Sequence, residues 1–318
     1  MKWLIAVGFV WSLGFINEIQ AEVTKPKGVY ASAGAMTPAV VGNDNVRGVL
    51  IRAKWSDIEI SEGHFDFTAI DRQVSPAKAA GKKWSLGVLA GTFAPSWLWS
   101  GQDVVTFPAF GGTLAVWWNT RVTDRLRVLA QALADKYGSD TSLALVYVSQ
   151  MTCNGIEGHF NGVPQSTLIG AGYTVDNFVE AAETTARDFA DAFPGKPLAV
   201  EYHEILHSNE HASRMMTDLW NDTNLAQRVG AAIWWIDGAT NYQPNLLTVL
   251  QNFPGDKYAQ LIDKSSKLAA FPDGYTAVFD QAKSLGVRYI EPWDYEFVNN
   301  LWDSTFQDFN TWTDSVFQ

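Results

Sequence analysis

Three glutamates stand where the chain changes from apolar to polar, and carboxyl groups in such positions can act as acids and bases. Glu157 lies a few residues beyond an apolar run, whereas Glu201 and Glu291 come at the ends of two others. The runs are 143–148, 197–202 and 287–290. Continuous hydrophobic runs indicate strands of a parallel sheet buried on both faces, and α/β folds carry their chemistry at the carboxyl ends of such strands. We therefore expect the three carboxylates to lie at one edge of a sheet.

The segment around Glu157 has the composition of a ligand-binding loop. It is rich in small and polar residues, which let a ligand approach the backbone closely, and it includes Asn154 and His159. Arg52 ends another apolar run and could bind hydroxyl groups or orient a carboxylate. A lone histidine is more often a structural hydrogen-bonding group than a ligand-binding one. We predict that Arg52, Asn154 and His159 line a sugar-binding cleft, with a solvated glutamate at an ordinary strand end as the alternative.

Tryptophan is abundant, with fourteen residues in a chain of 318. A flat indole ring can stack on the C–H face of a pyranose, although we expect more than half of these residues to be core packing. Trp234 and Trp235 are adjacent, so they point to opposite sides of a strand and at most one faces the interior. The candidate sugar platforms, all close to predicted strand ends, are Trp97, Trp99, Trp235 and Trp293.

The overall composition excludes several classes of partner and site. A formal charge of −11 makes nucleic acid a poor partner, because binding it needs clustered lysine and arginine. Cys153 is the only cysteine, so neither an internal disulfide nor a cysteine-based zinc site can form. We expect no cofactor and no metal. The oligomeric state is left open.

The first residues have the pattern of a signal peptide. A short basic start is followed by the uncharged apolar stretch 3–16 and a polar exit that ends at Ala21. That stretch is too short for a stable membrane anchor. We predict cleavage after Ala21, a secreted or periplasmic protein, and no membrane association after cleavage.

Eight apolar runs alternate with helical patterns over the remaining chain, 22–318. The predicted strands are 28–32, 46–53, 84–90, 143–148, 197–202, 230–236, 258–262 and 287–290, and the predicted helices include 68–81, 119–138, 175–193, 211–228 and 274–285. Such alternation is typical of βαβ units and a parallel sheet. We predict a single-domain (β/α)8 barrel. A doubly wound sheet is the alternative, but no glycine-rich phosphate loop follows any strand.

From Trp55 the chain reads W-S-D-I-E-I-S-E-G-H-F-D-F-T-A-I-D and then A-A-G-K. This run resembles the second βα unit of clan A glycoside hydrolases. It is most similar to β-galactosidase-like members, in which W-x-x-x-E-x-x-x-G-x-F/Y-D-F-x-x-I/L-D precedes the helix. The segment A-P-S-W-L at 94–98 resembles their P-x-W-L segment. The likeness covers about 47–99 and is only architectural beyond.

The resemblance implies a (β/α)8 barrel with a retaining mechanism and catalytic glutamates at the ends of strands four and seven. This chain departs from that pattern. Strand four lacks the usual Asn-Glu pair, and Glu157 takes the acid/base role because some barrel relatives carry a glutamate in such a G-x-x-G-E loop. Strand seven offers Gln260 and Asp263 but no glutamate. The second carboxylate is therefore left open, with Glu291 ranked above Glu201, and so is the stereochemistry.

Glycoside hydrolysis by two carboxyl groups, acting on a polysaccharide or its oligosaccharides, is the function that we predict. One alternative is a carbohydrate-binding barrel that lacks catalysis. Another is a zinc metalloprotease, because His203-Glu-Ile-Leu-His207 matches H-E-x-x-H. On a helix the two histidines would share one face and bind zinc, with Glu204 as the base. The motif follows a predicted strand, however, and a cation held at the barrel rim is its weaker form.

Overall fold

The computed structural model describes residues 23–32 and 36–318, in which eight strands close into a parallel barrel. They are β1 (Gly28–Ala31), β2 (Gly48–Lys54), β3 (Lys83–Leu89), β4 (Leu143–Tyr147), β5 (Leu198–Glu201), β6 (Val229–Ile236), β7 (Lys257–Leu261) and β8 (Val287–Glu291). Each strand pairs with its neighbours in sequence, and β1 closes the ring by pairing with β8. The predicted (β/α)8 fold is confirmed, and the seventh strand, predicted at 258–262, is Lys257–Leu261. The predicted signal peptide lies outside the described residues.

Helices connect the strands, and the larger ones surround the barrel. They are Pro38–Val41, Trp55–Ile58, Thr68–Ala79, Thr120–Tyr137, Gln165–Gly170, Val175–Ala192, Glu210–Asn221, Pro244–Asn252, Ala277–Leu285, Asp294–Asn299 and Asp303–Val316. Two short hairpins, Glu59–Ser61 with His64–Phe65 and Thr106–Ala109 with Gly112–Ala115, lie outside the barrel. No helix in the described ranges is both long and apolar enough to cross a membrane.

Most predicted helix boundaries are confirmed, with one correction. The helix predicted over 211–228 ends at Asn221, because the Asp222 side chain accepts the amide hydrogen of Asn224 and begins a separate turn. The helix predicted at 119–138 spans Thr120–Tyr137, and Asn119 caps it, since the Asn119 side chain accepts the Arg121 amide hydrogen. The helices Pro244–Asn252 and Asp303–Val316 were not predicted from the sequence.

Side chains that alternate along the strands fill the barrel interior. The inner set comprises Tyr30, Leu50, Leu145, Tyr147, Ala199, Ala232, Trp234, Tyr258 and Tyr289. Two glycines make room for the large rings, because a Cβ at Gly48 would collide with Tyr30 and one at Gly230 would collide with Tyr258. The interior is therefore a packed core, and polar chemistry is confined to the ends of the strands.

In the W-x-x-x-E-x-x-x-G run that follows β2, the tryptophan and the glycine both donate hydrogen bonds to the buried carboxylate between them. Glu59 accepts hydrogen bonds from Trp55 Nε1 at 2.8 Å and from the Gly63 amide at 2.7 Å. It also forms an ion pair with Arg125 on the helix Thr120–Tyr137, and its side chain is fully buried. Gly63 has φ of +80°, which favours glycine. The motif thus ties the segment after β2 to a distant helix.

We predict that Glu59→Gln lowers the free energy of unfolding by about 3 to 5 kcal/mol, because it leaves Arg125 largely buried beside a neutral group. Glu62→Gln is the matched control. The Glu62 side chain is 45% exposed, so its loss costs less than about 1 kcal/mol. Urea unfolding of both variants measures the difference. Equal losses would show that the carboxylate of Glu59 does not hold this segment.

Candidate active site

Glu291 ends β8 with a completely buried side chain that faces the barrel interior, on the same side as Tyr289. Its Oε1 accepts hydrogen bonds from Tyr147 Oη at 2.9 Å and from Tyr289 Oη, and its Oε2 accepts one from Gln260 Nε2 at 2.8 Å. Burial raises the pKa of Glu291 to about 7, against the opposing effect of these donors and of Arg52. All three donors favour the ionised carboxylate.

Arg52 on β2 lies within the electrostatic reach of two carboxylates. Burial lowers the pKa of its guanidinium, and the negative charges of Glu291 and Glu157 oppose that change. The guanidinium carbon is 5.9 Å from the Trp234 ring centre and 6.0 Å from the Trp293 ring centre, distances at which a cation is attracted to an aromatic face. Arg52 on β2 therefore lies close to the ends of β6 and β8 and within the electrostatic reach of the loop that follows β4.

Glu157 lies on a loop that turns back onto the end of β3. Gly155 packs against Ala90, with φ of +86°, and its carbonyl accepts the amide hydrogens of Ala90 at 3.3 Å and Gln150 at 2.8 Å. Asn154 Nδ2 donates to Glu157 Oε1 at 2.6 Å. The Glu157 side chain is 22% exposed, whereas Glu201 and Glu291 are almost completely buried.

His159 adds an imidazole to this loop. Its Nδ1 accepts the Asn161 amide hydrogen at 3.1 Å, and its Nε2 lies 3.6 Å from Glu157 Oε2. The acceptor role of Nδ1 places the proton of the neutral ring on Nε2, facing the carboxylate. The structure therefore brings three of the predicted residues, Asn154, Glu157 and His159, into one polar group.

Glu201 ends β5 and is almost entirely buried. Its carboxylate accepts the amide hydrogens of Gly158 at 2.6 Å and Trp234 at 2.9 Å, and His203 Nδ1 lies 2.9 Å away. Burial raises the pKa of Glu201 well above its ordinary value, and the charge of Glu157 raises it further. Because one of these donors is the residue after Glu157, Glu201 holds the loop that carries that glutamate.

The predicted aromatic platforms are placed differently from one another. Trp293 lies beside Arg52, and its Nε1 donates to the Leu261 carbonyl at 2.8 Å. Trp97 packs edge-on against Trp55 and lies under the Arg125 guanidinium. It therefore belongs with the residues that surround Glu59. Trp99 packs partly buried against the outer core.

The choice of Trp235 as a cleft residue is wrong. Trp234 is the inward-facing member of the pair and packs edge-on against Tyr147 at 5.0 Å. Trp235 lies on the opposite side of β6, is only 2% exposed, and donates from Nε1 to the Tyr202 carbonyl. Adjacent residues of a strand alternate between its faces, and the sequence does not show which member of such a pair points inward.

The H-E-x-x-H motif is not helical, so the context required for a metalloprotease is absent. Residues 203–207 lie in a loop between β5 and the helix Glu210–Asn221. Leu206 and His207 have φ of +52° and +62°, and Ile205 pairs with Ser208 across the turn. Burial lowers the pKa of His203 to about 3. Nowhere in 23–32 and 36–318 do three or more His, Cys, Asp or Glu side chains form a group that could hold a metal ion.

Sequence reasoning missed the groups that hold Glu291. Tyr147 and Tyr289 looked like ordinary strand residues, and Gln260 was noted only because it stands where the resemblance implies a glutamate. Gln260 is opposite Glu291 in the register of β7 and β8. Both residues lie two positions beyond an inward-facing tyrosine, which is the one signal that could have placed them together.

Comparisons with known proteins agree on the fold. No family model matches the chain, and no curated protein matches it. Among solved structures, xylanase 10B from Thermotoga petrophila RKU-1 in complex with xylobiose is similar, with a TM-score of 0.55 and 13% identity over 84% of this chain and 82% of that one. GH10 from Paenibacillus barcinonensis matches with a TM-score of 0.50 and 12% identity, over 90% of this chain and 80% of the other. At such identity the likeness establishes the barrel alone.

We predict that Arg52→Gln raises the pKa of Glu291 further above 7, because the guanidinium charge favours the ionised carboxylate. Lys54→Gln is the matched control, since it removes one positive charge from an exposed position of the same strand. The pH dependence of the carboxyl carbon resonance in glutamate-labelled protein measures both variants. A pKa that falls, or that rises equally in the two variants, would contradict the assignment of Arg52.

Proposed function

We propose that this chain is a glycoside hydrolase that cleaves O-glycosidic bonds of a polysaccharide or its oligosaccharides by two-carboxylate catalysis. The observation that carries the proposal is the arrangement of Glu157 and Glu291 about Arg52 at the carboxyl ends of the barrel strands. One carboxylate is partly exposed and the other is buried among donors. Two carboxyl groups in contrasting environments are what acid/base cleavage of a glycosidic bond requires.

Glu157 is the proton donor in this proposal. It is the partly exposed one of the three glutamates, and in this proposal it reaches the glycosidic oxygen of a bound chain. Asn154 fixes its Oε1, which leaves Oε2 on the side of His159. Burial and the nearby charge of Glu157 raise the pKa of Glu201 well above its ordinary value, because a like charge disfavours ionisation.

Glu291 is the second carboxylate, which attacks the sugar or activates water. Two tyrosine hydroxyls and one amide donate to it, and each stabilises the charged form. Glu201 is a positioning residue here, because all three of its contacts hold backbone or His203 and one of them fixes the Glu157 loop. Glu201 acting directly as the second carboxylate is the alternative.

The neighbouring structures support the substrate class. One of them is a xylanase with xylobiose bound, and it shares the barrel over most of both chains. Trp293, Trp234 and Arg52 would face a sugar that enters beside Glu157 and Glu291. A carbohydrate substrate, no nucleic-acid partner and export of the mature chain complete the proposal.

A carbohydrate-binding barrel without catalysis is the second candidate, and one observation favours it. The ends of β4 and β7 carry Gln150 and Gln260 where the resemblance implies glutamates. Gln150 Nε2 donates to the Glu201 carbonyl at 2.8 Å, and Gln260 donates to Glu291. Both amides are buried and engaged in the hydrogen bonding of the barrel. This candidate requires oligosaccharide binding with no turnover.

We predict that Glu157→Gln lowers kcat/KM about 10²- to 10⁴-fold, the usual contribution of general acid catalysis. Release of reducing sugar from xylan, cellulose, mannan and galactan measures the variant beside the wild type. Glu62→Gln serves as the charge-matched control and keeps full activity. A wild type that binds these glycans without cleaving them would support the binding barrel. Equal activity of wild type and Glu157→Gln would remove Glu157 from the mechanism.

We also predict an acidic limb in the pH profile at about pH 7. Burial raises the pKa of Glu291 to about 7, and the role of Glu291 requires the ionised form. Activity therefore falls about tenfold for each pH unit below 7. The measurement is kcat/KM on the best substrate between pH 4 and pH 9. A rate that stays constant down to about pH 5 would show that a different, less buried carboxylate performs this step.

A further inference from the structure

A separate cavity of about 340 Å³ opens beside the loop that carries Glu157. The segments that follow β4, β5 and β6 line it. The residues that matter here are Phe160, His203, Glu204, His207, Tyr242 and Gln243. The loop that carries Glu157 thus also contributes Phe160 to the cavity wall. The roles assigned to Glu157 and Glu291 leave the cavity unused.

Two buried polar atoms on residues of the cavity wall have no hydrogen-bond partner in the described part of the chain. They are Oε1 of Glu204 and Nε2 of Gln243. The Gln243 side chain is held at its other end, where Oε1 accepts the Glu204 amide hydrogen at 2.6 Å. Gln243 is only 9% exposed. A buried polar atom without a partner costs free energy, so a ligand that supplies one donor and one acceptor would be bound favourably.

The backbone around the cavity is strained. Leu206, His207 and Gln243 have φ of +52°, +62° and +49°, a region that side chains other than glycine and asparagine rarely occupy. Such strain costs about 1 to 3 kcal/mol at each residue and collects at functional sites. Three strained residues and two unpaired polar atoms around one cavity distinguish it from an accidental surface depression.

Tyr242 supplies an apolar ring to the cavity. It is 37% exposed, and Trp235 packs against it edge to face at 5.8 Å. Burial raises the pKa of its hydroxyl, and the charges of Glu201 and Glu157 raise it further. The ring centre of His203, which also lines the cavity, lies 4.9 Å from that of His159.

We propose that this cavity binds one uncharged sugar residue of the substrate chain, on the leaving-group side of Glu157. The inference rests on the proposed function. Hydroxyl groups both donate and accept, so a single sugar can satisfy Glu204 and Gln243 together. The Tyr242 ring offers an apolar face, as sugar rings require. The Glu204 carboxylate disfavours an anion, so a neutral polyol is the ligand that the wall fits.

Tyr242→Ala and a pair of substrates test the proposal. The probes are a tetrasaccharide of the glycan that the panel identifies and the glycosyl fluoride of its disaccharide. Fluoride leaves without a sugar in the cavity. We expect Tyr242→Ala to lower kcat/KM for the tetrasaccharide about five- to tenfold and to leave the glycosyl fluoride unchanged. Phe110→Ala is the matched control, because Phe110 is 62% exposed on the hairpin Thr106–Ala109/Gly112–Ala115, outside the cavity. It should change neither rate.

Glu204→Ala provides a second test, whose expected result differs from that of a folding defect. Removal of an unpaired buried oxygen should leave the melting temperature unchanged or raise it, whereas tetrasaccharide binding to Glu157→Gln protein, measured by calorimetry, should weaken about tenfold. If Tyr242→Ala lowers kcat/KM equally for both substrates, or for neither, the cavity does not bind a sugar of the substrate. The proposed hydrolase activity would still stand. If the wild type cleaves no glycan, the proposed function fails. Unchanged tetrasaccharide affinity in Tyr242→Ala would then also show that the cavity does not bind a sugar.

Discussion

The burial of a carboxylate inside the barrel is the constraint on which the rest of the candidate site depends. Glu291 has its pKa raised from 4.5 to about 7. Since each pH unit corresponds to about 1.4 kcal/mol, the ionised group costs the fold about 3 kcal/mol above pH 7. That cost is absent below pH 4.5, where the group is protonated in both states; it grows as the pH rises from 4.5 to about 7 and is constant above that. The donors Tyr147, Tyr289 and Gln260 keep the cost from being larger.

Two of the tyrosines inside the barrel, Tyr147 and Tyr289, donate to the Glu291 carboxylate. The three donors come from β4, β7 and β8, the last of which also carries Glu291 itself. Arg52 then adds the charge that no hydroxyl can supply, and Trp234 and Trp293 flank it. An all-aliphatic interior would be easier to pack, but it would leave this carboxylate without partners.

Much of the fold was predictable from the sequence, because its signals are local. Apolar runs located all eight strands. Long-range pairing was not predictable, and the candidate site depends on it. Glu157 and Glu291 were chosen for their places at strand ends, but the sequence could not show that Glu201 binds the Gly158 amide or that Arg52 lies near two carboxylates. Trp235 was mistaken for Trp234 because alternation fixes opposite faces without saying which one points inward.

A buried charge at the amino-terminal end of the barrel is fully paired, whereas two polar groups beside the cavity at the carboxyl end are not. At the amino-terminal end, Asp256 is paired with both Lys25 and Arg288, so its charge is neutralised where no chemistry is needed. At the carboxyl end, Glu204 and Gln243 keep unpaired atoms in a strained loop region. A protein optimised only for stability would pair or remove such groups. Arg228 Nε before β6 is also unpaired, and Ala226 and Gln227 beside it have positive φ, so such groups occur at both ends. Those at the carboxyl end differ in that Glu204 and Gln243 line one cavity, which is where a ligand can meet them.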